Sequence, residues 1–61
     1  MSLERLLSIL RRNTYINVLN EGGDQLYKGP VWYLNSKYLL SCLVLDVYKD
    51  NFCIVIVIID D

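Results

Sequence analysis

The chain has 61 residues, 54% of them hydrophobic, and its six basic and seven acidic residues leave a net charge of −1. A chain this short makes one domain and buries only about 60% of the surface its unfolded form exposes, so its own core is marginal. The apolar content excludes disorder. The scattered cations Arg5, Arg11, Arg12, Lys28, Lys37 and Lys49 speak against nucleic-acid binding, which needs a basic face.

Small domains offset a thin core with disulfides, a metal or a partner chain. Cys42 and Cys53 alone make no secreted disulfide framework, and no signal-peptide core precedes the first helix. The expected setting is the cytoplasm, with both thiols reduced. The apolar excess points to a partner chain, most simply a homodimer.

Ser2 is placed to cap a helix from Leu3, with Glu4 in the first turn, where a negative charge suits the dipole. Leu3, Leu6, Leu7 and Leu10 form one apolar stripe at i, i+3, i+4 and i+7, widened by Ile9. Arg11 and Arg12 then fall in the last turn, and Asn13 closes the helix in the left-handed conformation.

Thr14 to Leu19 reads as a strand, with Ile16 and Val18 on one face and Tyr15, Asn17 and Leu19 on the other. Asn20 to Asp24, with Gly22-Gly23 as the loop residues, turns the chain into a second strand, Gln25 to Lys28. Leu19 then faces Leu26 and Val18 faces Tyr27. The glycines match neither dinucleotide-binding nor P-loop spacing. Gly29-Pro30 is expected to end this strand.

Val31 to Leu34 fits either a continuation beyond a bulge or a crossing loop, and Asn35 or Ser36 can cap a short helical turn holding Lys37 to Leu40. Leu43 to Lys49 is the third strand and Asp50-Asn51 the turn. The last strand, Phe52 to Ile59, is β-branched or aromatic almost throughout and apolar on both faces. It is far short of the roughly 20 residues of a membrane-spanning helix. Pairing across the turn sets Val47 against Ile54, Leu45 against Ile56 and Leu43 against Ile58, a layer for the first helix to cover. The opposite layer pairs Tyr48 with Cys53, Asp46 with Val55 and Val44 with Val57. One helix covers one side, so the other must meet the first hairpin, the Trp32 segment or another subunit. The fold class is α+β: an N-terminal helix on a small, mostly antiparallel sheet of about four strands, residues 1–61 forming a single domain.

Leu6-Leu7, Ile9-Leu10, Asn13-Thr14, the hairpin Gly23-Asp24-x-Leu26-Tyr27-x-Gly29, Tyr38-Leu39 and the strand Phe52-x-Ile54-x-Ile56 resemble a group of very small uncharacterised proteins of phages and prophages of Gram-positive bacteria. Pro30 to Tyr33 and the more apolar last strand depart from that group. The resemblance implies a phage or mobile-element origin and brings no catalytic residues.

Chemistry is thinly provided. No histidine is present, which removes the commonest general base and metal ligand. Ser2, Ser8, Ser36 and Ser41 have no neighbouring base, and Asp46 and Asp50 read as a surface carboxylate and a turn residue. Asp60-Asp61 reads as a solubilising end to an apolar strand. No enzyme, cofactor or metal is expected. Aromatic residues are abundant, and Trp and Tyr dominate interface hot spots. The candidate protein-interface residues are Trp32, Tyr33, Tyr38, Cys53, Val55 and Val57. The expected function is a non-enzymatic, homo-oligomeric protein-binding module that binds a host protein, possibly a defence component. The alternatives are a structural or assembly accessory, and a protein that sequesters a small nucleotide-like ligand in a pocket at the subunit interface.

Overall fold

The computed structural model describes residues 1–60, and Asp61, the second member of the terminal acidic pair, lies outside them. The elements run α1 (Leu3–Leu7), β1 (Tyr15–Leu19), β2 (Gln25–Pro30), a 3-10 turn (Val31–Tyr33), α2 (Lys37–Ser41), β3 (Val44–Asp50) and β4 (Cys53–Ile58). The four strands form one mixed sheet in the order β2-β1-β4-β3. Both hairpins are antiparallel, and they join through a parallel β1–β4 seam. This is the expected α+β architecture. The all-apolar last strand, β4, is central, between β1 and β3.

Both helices start where a serine satisfies an otherwise orphaned amide. Ser2 Oγ accepts from Arg5 N–H at 3.2 Å, and Ser36 Oγ accepts from Leu39 N–H at 3.3 Å. The first helix is shorter than its leucine stripe suggests. It ends at Leu7, so Ile9 is exposed, Arg11 and Arg12 lie in the loop, and Asn13 is not left-handed. Leu10 still packs on the core. The stripe thus survives the end of the helix, because burial of leucine needs proximity to the sheet rather than helical geometry. Residues 1–3 are stitched to the start of β3: Leu3 N–H donates to Cys42 O at 2.8 Å, and Val44 N–H donates to Met1 O at 2.9 Å.

The core lies between the helices and one sheet face. Leu3, Leu6, Leu7 and Cys42 meet Ile16, Val18, Ile56 and Ile58, with Val31, Leu34, Leu39, Leu40 and Ile54 packed around them. Across the seam, Ile16 stands beside Ile54 and Val18 beside Ile56.

Two hairpin registers differ from the expected ones. In the first, Val18 faces Tyr27 as expected, but a bulge sets Leu19 opposite Gln25. The loop is held by the Asn20 side chain, whose Oδ1 accepts from Asp24 N–H at 2.9 Å. Gly23 takes the positive φ of +89° that glycine adopts freely. In the second, the turn is Asn51-Phe52 rather than Asp50-Asn51, so Tyr48 faces Val55, Asp46 faces Val57 and Val47 faces Ile56. This shift of two keeps each residue on its face. A bulge at Leu45 then brings Val44, opposite Ile58, to the covered side and leaves Leu43 and Leu45 exposed, against expectation. β2 also runs on through Pro30. Proline is tolerated there because β2 is an edge strand.

Gly29 has a packing reason. The Tyr27 ring lies over it, with the hydroxyl donating to Pro30 O at 2.6 Å. A Cβ at position 29 would meet Tyr27 Oη at 2.8 Å. Burial pushes the Tyr27 hydroxyl above its ordinary pKa, with the nearby Tyr15 and Tyr33 adding to the effect.

Candidate interaction surface

Strand alternation places Tyr15, Asn17 and Leu19 of β1 and Cys53, Val55 and Val57 of β4 on the sheet face opposite the core. The edge strands add Lys28 on one side and Asp46, Tyr48 and Asp50 on the other. The middle row crosses the sheet as Lys28, Asn17, Val55 and Tyr48. Among the described residues the helical segments pack on the core face, so this second face has no layer over it.

Val55 is nevertheless only 3% exposed, while Cys53 and Val57 are half-buried. A short valine in a central strand, flanked in its row by Asn17 and Tyr48, is shielded sideways by larger neighbours. The face is therefore apolar in the middle, with Tyr15 and Tyr48 standing exposed around it. Asn17 adds one polar group, and its Oδ1 is buried with no hydrogen-bond partner. A buried acceptor left without a donor costs about 1–3 kcal/mol.

The other candidate residues sit elsewhere. Trp32 and Tyr33 occupy the 3-10 turn, 54% and 66% exposed, with ring centroids 5.5 Å apart in an edge-to-face arrangement. The turn is anchored from behind: Val31 N–H donates to Thr14 O, Trp32 N–H donates to Arg12 O, and Val31 and Leu34 reach the core. The two rings are thus held outward on a fixed base. Tyr38 is on α2, its hydroxyl donating to the Asp60 carboxylate. Phe52, at the β3–β4 turn, is 94% exposed. Phe52 falls in the turn rather than at the start of the strand, where its β-favouring neighbours suggest it.

An open cleft of about 400 Å³ is lined by Thr14, Tyr15, Lys49, Asn51, Phe52, Cys53 and Ile54. Trp32, on the 3-10 turn, is not among its lining residues. Cys42 is buried in the core, its Sγ donating to Tyr38 O at 3.3 Å, and Cys53 lies half-buried on the open face. No helix among the described residues is long and apolar enough to cross a membrane. In comparisons with known proteins, no protein family, no curated protein and no solved structure matches the chain.

Proposed function

We propose that the chain is a non-enzymatic protein-binding module of a phage or mobile element that acts in the host cytoplasm as a homo-oligomer and modulates a host protein, a defence component being the fitting kind of target. The observation that carries this reading is the Trp32–Tyr33 pair, two large aromatic rings held exposed on a turn whose flanking residues are buried. Rigid aromatic rings bury much area at low entropic cost and anchor protein interfaces. The uncovered sheet face supports the homo-oligomeric part of the reading, since an apolar face of this kind marks an interaction site.

Affinity capture from lysate of a Gram-positive host tests it. The parent chain is expected to retain one host protein in stoichiometric amount, and Trp32→Ala and Tyr33→Ala, with unchanged thermal melting, to lose it. Failure of the parent to retain any protein, or full retention by both variants, contradicts the proposal.

A further inference from the structure

We infer that the uncovered sheet face is closed by a second copy of this chain, the two sheets packed face to face about a two-fold axis that runs along the strands. This rests on the homo-oligomeric part of the reading above and adds the surface, the partner and the orientation.

The charge pattern selects the axis. The open face carries Lys28 at its β2 edge and Asp46 and Asp50 at its β3 edge. A two-fold axis between stacked sheets can run along the strands or across them. Run across, it lays β2 on β2 and β3 on β3, so that Lys28 meets Lys28 and Asp46 meets Asp50. Run along, it lays β2 of each copy over β3 of the other. Lys28 then sits above Tyr48, its row-mate across the sheet. Asp46 and Asp50 stand about 7 Å to either side along the strand. The ammonium lies over an aromatic ring and between two carboxylates, and the symmetry makes the contact twice. Each carboxylate spends one hydrogen bond locally, Asp46 accepting from Val47 N–H at 2.9 Å and Asp50 from Asn51 N–H at 2.8 Å. Each keeps further acceptor capacity for the lysine.

Four strands about 4.8 Å apart and roughly six residues long make a face on the order of 400 Å². Two such faces bury less than the about 1,200 Å² of a stable interface, so association is weak and concentration-dependent.

The test uses the full chain as parent, as Lys28→Glu, as Asp46→Lys/Asp50→Lys, and as an equimolar mixture of the two variants. All three side chains are exposed, and far-UV circular dichroism checks that folding is unchanged. Sedimentation equilibrium from roughly 10 μM to roughly 1 mM is expected to show a parental dimer. Each variant alone should associate at least about tenfold more weakly. The mixture should regain parental affinity, native mass spectrometry finding one copy of each variant per dimer. A parent that stays monomeric throughout overturns the inference, as do variants that each associate like the parent. Variants that associate like the parent overturn only this inference and leave a homo-oligomer built on another surface; a monomeric parent overturns the homo-oligomeric part of the reading with it, and a dimer that captures no host protein overturns only the host-binding part.

Discussion

Substitution at Ile56 bears on how the core is built. This side chain is 0% exposed, lies between Val18 and Val47 in its row, and belongs to the cluster under Leu3, Leu6 and Leu7. At roughly 0.05–0.15 kcal/mol per residue, a chain of this size has about 3–9 kcal/mol of stability in total. Ile56→Val removes one methylene and should cost about 0.5–1.5 kcal/mol; Ile56→Ala leaves a cavity in a central strand and should cost about 2–5 kcal/mol. Ile56→Asp places a carboxylate in a cluster made of leucine, isoleucine, valine and cysteine. An unpaired buried charge costs several kcal/mol beyond the lost packing, which exceeds the available stability. Urea denaturation followed by circular dichroism should therefore show a graded loss for Val and Ala and no cooperative transition for Asp. If Ile56→Asp unfolds cooperatively near the parental midpoint, residue 56 does not face the helices and the assigned register is wrong.

Two further outcomes concern Tyr27. Gly29→Ala drives a methyl to within 2.8 Å of Tyr27 Oη at a residue whose φ is +157°, and should cost about 1–3 kcal/mol by thermal melting. Adding Tyr27→Phe should recover part of that loss, and strict additivity of the two substitutions would show that they do not touch. The Tyr27 hydroxyl is harder to ionise folded than unfolded, so its contribution to stability is complete below the ordinary tyrosine pKa of about 10 and is lost as pH rises through the raised folded value. Denaturation midpoints should fall more steeply above that pH for the parent than for Tyr27→Phe; equal slopes would remove Tyr27 as the cause.

Much of the fold was legible because local chemistry and burial agree. Ser2 and Ser36 cap the helices they precede, Val18 pairs with Tyr27, and Ile54, Ile56 and Ile58 face the helices. What escaped was set by pairing between distant segments. Nothing local says that β1 lies parallel to β4, which makes the first hairpin an extension of the sheet rather than a cover for it. The Leu45 bulge is likewise invisible in an alternating pattern, yet it decides that Val44 rather than Leu45 turns inward. α1 stops at Leu7, yet Leu10 beyond it still packs on the core. Of the candidate interface residues, Cys53, Val55 and Val57 share one face by strict alternation, while the chain path sends Trp32, Tyr33 and Tyr38 to other elements. Asn17 as an orphaned polar group could not be foreseen, since it depends on which neighbours crowd it.

The claim beneath these readings is that the chain covers one side of its sheet and leaves the other for a partner. Methyl NMR of the dilute protein with a soluble paramagnetic agent tests it most directly. Signals of Leu19 and Val57, on the open face, should broaden strongly, while those of Ile16, Ile56 and Ile58, all 0% exposed, should persist. Equal protection of both sets in the monomer would mean that the chain seals both faces by itself, and would contradict the account.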